Sequence, residues 1–210
     1  HMLVLVDTPT VEAQQGRGFV YSTLPFGIIL TEENIITVCL KESALARAFS
    51  ESPVKNFSTK KKNRMTLQLL YRNATLFLFY LREVDKASSR VENELHLSMK
   101  NKELIQMLGL EKSLVYFSTS LKGNEIVLEK LLRMDFVKDY PDDTELLEDV
   151  IIENKQAIEM AGIYSNILSD MTEAFASIIS NNLNIVMKFL ATVTIVLSIP
   201  TIIFSAYGMN

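Results

Sequence analysis

From Phe189 to Asn210 the chain reads FLATVTIVLSIPTIIFSAYGMN, and this stretch decides the fold. Phe189 to Tyr207 is 19 residues without a charge. A helix rising ~1.5 Å per residue covers ~28 Å over that length, against a bilayer hydrocarbon core of ~30 Å. No other stretch is apolar enough to cross a membrane. Its place at the C-terminal end excludes a signal peptide, which is N-terminal and cleaved.

Upstream, Asp139-Tyr140-Pro141-Asp142-Asp143-Thr144-Glu145 reads as a helix start. Pro141 is excluded from a helix interior, Asp142 is a capping residue, and Glu145 completes a capping-box spacing. After Pro141 no proline follows until Pro200, and Gly162 is the only glycine before Gly208. The simplest reading is one helix from about Asp142 to about Tyr207, roughly 65 residues and ~100 Å long. It is predicted to be a stalk whose last third lies in lipid.

Counting back from Gly208 in steps of three and four gives Ser205, Thr201, Ser198, Thr194, Ala191, Met187 and Asn184, all small or polar except Met187. Between them lie Phe189, Val193, Ile195, Val196, Ile199, Ile202 and other apolar residues. Hydroxyls kept in register within lipid imply that this face meets another helix or water. Both readings stand: packing through small residues, or a water-lined pore. The same count continues through Ser180, Ser177, Glu173, Asp170, Asn166, Ile163, Glu159, Gln156, Ile152 and Asp149. Outside the membrane, solvent exposure alone accounts for such a polar face. It does not account for the shared phase with the hydroxyls. A ring of such helices with the seam inward forms a hydrophilic conduit whose acidic rings attract cations. The opposite face, expected to pack, is Leu146, Val150, Ala157, Met160, Tyr164, Ile167, Met171, Ala174 and Ile178.

Further upstream, Leu3–Asp7, Gly18–Leu30 and Ile35–Leu40 read as strands, the last two a hairpin turning at Glu33-Asn34. Thr8-Pro9 is expected to break the first strand and Pro25 to interrupt or edge the second. From about Ser43 the pattern is helical. Leu67, Leu70, Ala74, Phe77, Leu81, Val84, Ser88, Val91 and Leu95 form one amphipathic seam, with a break permitted at Lys100-Asn101-Lys102. Leu114, Phe117, Leu121, Asn124, Leu128 and Leu131 form a second, suited to pack antiparallel on the first, with Gly109 and Gly123 weakening it locally. Lys60-Lys61-Lys62 reads as a solvated charge run, with a phosphate or head-group site as the alternative.

Composition narrows the function. The 210 residues carry a net charge of −4, against nucleic-acid binding, which needs a basic face. One cysteine, Cys39, excludes an internal disulfide, and two histidines, His1 and His96, leave no zinc cluster. No nucleophile–base pair or glycine-rich phosphate loop is present, so the chain is not read as an enzyme. His1-Met2 reads as a cloning remnant before the native sequence.

The terminal Tyr207-Gly208-Met209-Asn210, one span after Asn184, Met187, Lys188 and Leu190, resembles the CorA family of magnesium transporters. The resemblance is close over the stalk and span and holds in pattern elsewhere. It implies an α+β, mostly helical chain. Its parts would be a partial cytosolic α/β domain over 1–50, a cytosolic helical hairpin over 51–140, a stalk over 141–187 and a first transmembrane helix over 188–210. It implies a homopentamer in the plasma (inner) membrane, its N-terminal part cytoplasmic and Asn210 at the outer face. Mg²⁺, with Co²⁺ and Ni²⁺ as companion ions, would be transported, and Mg²⁺ would also regulate.

Residue by residue, the resemblance assigns the selectivity motif to Gly208, Met209 and Asn210, with Asn210 holding hydrated Mg²⁺. Pore lining falls to Asn184, Met187, Ala191, Thr194, Ser198, Thr201 and Ser205, the hydrophobic gate to Met187 and Leu190, and the basic collar to Lys188. Asp149 takes the place of a regulatory Mg²⁺ carboxylate between subunits and Glu173 that of an acidic ring. Oxygen ligands suit Mg²⁺, which dehydrates reluctantly. Pro200 departs by one position from the family proline, and Ser198 replaces a large apolar lining residue of some relatives. The resemblance also implies further strands before Leu3 and a second transmembrane helix after Asn210, so this chain alone is not expected to transport. Two rivals remain: a zinc-transporting relative on the same scaffold, and a non-transporting single-span coiled-coil scaffold in membrane lipid.

Overall fold

A computed structural model of the protein describes residues 1–14, 18–51, 61–98, 101–134, 136–137 and 141–208. Lys60, Asp139, Tyr140, Met209 and Asn210 lie outside the described residues. The elements are β1 (Met2–Gln14), β2 (Gly18–Leu30), β3 (Ile35–Cys39), α1 (Ala44–Glu51), α2 (Lys62–Ser98), α3 (Asn101–Arg133) and α4 (Pro141–Gly208). The fold is mostly helical, with a small antiparallel sheet of order β1-β2-β3 at the N-terminal end. Two units divide the chain, His1–Ser169 and Asp170–Asn210.

The expected strands form, but β1 is longer than its pattern. It runs through Thr8-Pro9, and β2 runs through Pro25 without interruption. Register explains both. Asp7 lies opposite Pro25, and Pro9 opposite Thr23. Asp7 directs its N–H to Asn124 and its C=O to Asn73 and Asn124, away from β2. The Asp7–Pro25 pair is therefore one of the non-hydrogen-bonded pairs of the ladder, and by alternation so is Pro9–Thr23. Neither proline removes a bond between β1 and β2. On the other side of β2, β3 pairs only with Phe26–Leu30, short of Pro25.

The expected hairpin turn is present. Thr31 N–H donates to Asn34 O at 2.9 Å, and Asn34 N–H to Thr31 Oγ1 at 2.9 Å. Lys62, the first residue of α2, fastens this turn by donating to the carbonyls of Thr31 and Glu32. Ser43 opens α1 by accepting the Leu45 N–H on its hydroxyl, as an N-cap does.

Alternation on the strands sends Val4, Val6, Phe26 and Ile28 into the core. There they meet Leu45 of α1, Leu67 and Leu70 of α2, Leu128 and Leu131 of α3, and Leu147 and Val150 of α4. The opposite sheet face leaves Leu3, Leu5, Ile36 and Val38 exposed. Both helical seams are buried as their spacing predicts, apart from the half-buried Ser88. Phe77 and Phe117 meet edge to face at 5.4 Å, and Tyr21 lies 6.3 Å from Phe117.

α4 starts one residue earlier than the capping pattern predicts. Pro141 is its first residue, a position where the lost N–H is unbonded anyway. Asp142 and Asp143 therefore sit in the first turn, where the helix dipole favours carboxylates. In the first unit, the buried row of α4 is Leu147, Val150, Asn154, Ala157, Ala161 and Leu168. This differs from the expected packing face: Val150 and Ala157 are buried, but Ile167 is 48% exposed. Two alanines and an asparagine, weak in any hydrophobic count, hold the buried positions.

A candidate ion path along the last helix

In the first unit, the seam residues Asp149, Gln156, Glu159 and Asn166 are all exposed, as are Ile152 and Ile163 between them. The setting follows from what holds α4 on its other side. Asp143 pairs with Arg64 at 2.9 Å, its side chain only 4% exposed. Asn154 donates to Leu121 O at 3.1 Å. With those residues inward, the acidic residues face outward. Neither Arg64 nor Asn154 stands out in the sequence, because their partners lie 79 and 33 positions away.

Tyr164, on the same helix, has its phenol pKa raised by burial and, less, by the Asp85 carboxylate, with Arg82 opposing. Burial raises Tyr80 also, against Arg47, and raises Tyr21 with help from Glu83 and Tyr80, against Arg90. All three are neutral phenols at physiological pH. Among the described residues, no group of three or more His, Cys, Asp or Glu side chains is placed to hold a metal ion. Among these residues Asp149 therefore belongs to no such group.

In the second unit, Glu173 is exposed and the helix becomes apolar. Its candidate span has mean hydropathy 2.1 and none of it is buried. Asn184, Met187, Lys188, Leu190 and Ala191 are exposed, with Met187 and Leu190 three apart and so on neighbouring parts of one face. The hydroxyls show a common behaviour. Thr194 Oγ1 donates to Leu190 O at 2.9 Å, Ser198 Oγ to Ile195 O at 2.8 Å, and Thr201 Oγ1 to Leu197 O at 2.9 Å. Each hydroxyl is satisfied by the helix itself and keeps an oxygen able to accept a further bond, as does Thr192, off the seam, donating to Lys188 O at 2.9 Å. A row of acceptors results, suited to cations or to the protons of their hydration water.

Ser198, Thr201 and Ser205, with Leu197, Ile202 and Ala206, line an open groove of about 630 Å³. Pro200 lies two residues from Ser198, ~200° around the helix, so its lost backbone bond is on the face away from the hydroxyls. α4 nonetheless continues through Pro200 to Gly208. Of Gly208, Met209 and Asn210, expected from the sequence to form the selectivity motif, only Gly208 is described, as the last helical residue.

Comparisons with known proteins agree with this architecture. The family described as CorA-like Mg²⁺ transporter protein matches residues 1–210. The cobalt/magnesium transport protein CorA of Methanocaldococcus jannaschii is 30% identical over 203 residues, 90% of this chain and 61% of the relative. The complete structure of the CorA magnesium transporter from that organism aligns with TM-score 0.78 and 23% identity, covering 99% of this chain and 65% of that one. The structure of its soluble domain aligns with TM-score 0.70 and 21% identity over 81% of this chain and 68% of that domain. The ZntB cytoplasmic domain from Vibrio parahaemolyticus shares the fold at TM-score 0.58 and 11% identity, over 87% of this chain and 70% of that domain. The chain thus spans 61% of the length of the curated relative. With a family match running from its first residue to its last, the chain belongs to the CorA-like Mg²⁺ transporter family.

Proposed function

We propose that this chain supplies the pore-lining helix and part of the cytosolic body of a homopentameric channel that carries Mg²⁺, with Co²⁺ and Ni²⁺ as companion ions, into the cytosol. The observation that carries this reading is the hydroxyl row. Thr194, Ser198 and Thr201 share one face, engage their protons internally and keep oxygens able to accept further bonds. Oxygen acceptors along a path suit a hard cation that keeps its hydration shell. No histidine or cysteine falls on the seam, which favours Mg²⁺ over a zinc-transporting relative of the same fold.

In this reading residues 1–50 belong to a cytosolic α/β domain, 51–140 form the helical hairpin, 141–187 the stalk and 188–210 the first transmembrane helix. The membrane is the plasma membrane, with the N-terminal part cytoplasmic and Asn210 outside. Gly208, Met209 and Asn210 form the outer selectivity ring. Asn184, Met187, Ala191, Thr194, Ser198, Thr201 and Ser205 line the path. Met187 and Leu190 narrow it and gate by dewetting, while Lys188 forms a basic collar at the inner face. Glu173 contributes an acidic ring that concentrates cations. Asp149 senses cytosolic Mg²⁺ by sharing it with a neighbouring subunit. The bound ion offsets carboxylate repulsion and favours the closed ring, shifting the population by its differential affinity.

The test is uptake by the full-length protein in vesicles with Asn210→Ala. Loss of Mg²⁺ uptake with assembly intact is the expected result. Normal uptake would remove the selectivity ring. Uptake of Zn²⁺ in preference to Mg²⁺ by the parent would favour the zinc-transporting alternative.

A further inference from the structure

Three asparagines from three helices meet inside the first unit. Asn73 of α2, Asn124 of α3 and Asn154 of α4 are 3%, 5% and 2% exposed. Together with Val6, Leu70, Ala74 and Leu128 they line a cavity of about 10 Å³. Their hydrogen bonds leave one fully buried oxygen unmatched among the described residues. Asn73 Nδ2 donates to Asp7 O at 2.8 Å, and Asn124 Nδ2 donates to the same oxygen at 2.9 Å. Asn154 Nδ2 donates to Leu121 O. Asn73 Oδ1 is buried and has no partner among the described residues. Flipping the Asn73 amide does not help, because it would set Oδ1 against the Asp7 carbonyl and lose the existing bond.

A buried acceptor without a donor is costly and rare in native folds. A cavity of about 10–15 Å³ holds one water, provided polar partners surround it. Both conditions hold here. We infer that one buried water molecule occupies the junction of Asn73, Asn124 and Asn154, donates to Asn73 Oδ1, and fixes the rotational setting of α4 on the sheet unit. Asn154 sits in the buried row with Leu147, Val150 and Ala157. Turning α4 by one residue, ~100°, would bring Glu153 or Lys155 toward the apolar wall of Val6, Leu70 and Leu128. It would also leave Asn73 Oδ1 and the water without their third side. A buried polar group of this kind specifies register more than it adds stability.

The proposal is tested on the full chain by a crystal or cryo-EM map that resolves ordered solvent. A single peak about 2.7–3.0 Å from Asn73 Oδ1 is expected. The absence of a peak where other buried solvent is visible would overturn it. So would a peak with several oxygens at about 2.3–2.6 Å, which marks a cation. A double-mutant cycle supplies a second reading. Asn73 and Asn154 donate to different carbonyls but line one cavity, so a shared water makes their losses non-additive. Asn73→Ala and Asn154→Ala together are expected to lower Tm by less than the sum of the single losses. Additive losses would overturn the shared water.

Discussion

Asp7 and Asn124 hold one another through both ends of a single amide. The Asp7 N–H donates to Asn124 Oδ1 at 2.8 Å, and Asn124 Nδ2 donates to Asp7 O at 2.9 Å. The side chain imitates a neighbouring strand on the outer side of β1, at the point where Pro25 faces Asp7 across the ladder. A helix residue thus closes a sheet edge, which otherwise presents unpaired backbone groups.

Removing that clamp has a calculable consequence. Asn124→Ala leaves the Asp7 N–H without a partner, while the Asp7 carbonyl keeps Asn73. A loss of about 1–2 kcal/mol is expected, for a lost bond and a half-buried donor left stranded. Denaturant unfolding of the parent and the variant measures it. A change within experimental scatter would mean that water replaces the amide without penalty.

Alkaline pH is expected to weaken the first unit. Tyr21, Tyr80 and Tyr164 have raised pKa values in the fold, chiefly through burial. In the unfolded chain these phenols ionise near ~10. The folded state then binds more protons than the unfolded one, so the stabilisation is complete below that pH and is lost as pH rises toward the folded values. Tyr21→Phe removes one contributor, and its Tm is expected to fall less steeply above about pH 10. Parallel slopes for the parent and the variant would exclude Tyr21 from the effect.

Asp149 is exposed on α4, as a carboxylate meeting a second subunit must be. In the full-length protein, Asp149→Lys places a fixed cation where Mg²⁺ is proposed to bind. Protection from protease is expected to become less dependent on Mg²⁺. The same Mg²⁺-dependent protection in parent and variant would remove Asp149 as the sensor.

Much of the fold is legible in the sequence because periodicity reports burial directly. The α2 seam from Leu67 to Leu95 and the α3 seam from Leu114 to Leu131 are read correctly for that reason. Pro9 and Pro25 mislead because a proline breaks a ladder only in a hydrogen-bonded register, and register depends on Asn73 and Asn124, far away in the chain. The inward row of α4 is misplaced because Asn154, Ala157 and Ala161 carry little hydrophobic signal, and Asn154 is placed by its bond to Leu121 O of α3. At the candidate site the sequence shows the hydroxyl spacing but not where the protons go. The bonds to Leu190, Ile195 and Leu197 carbonyls turn a polar row into an acceptor row.

Thiol accessibility along α4 tests the central claim most directly. Cys39 is an exposed free thiol, so the background is Cys39→Ser in the full-length protein. Single cysteines then replace Thr194, Ser198 and Thr201 on one face and Val196, Ile199 and Ile203 on the other. A water-soluble thiol reagent is expected to modify the first three, more slowly when Mg²⁺ is present, and to leave the second three unmodified. Equal protection of both faces would mean that the hydroxyl row packs against another helix, and the path proposed along it would be wrong.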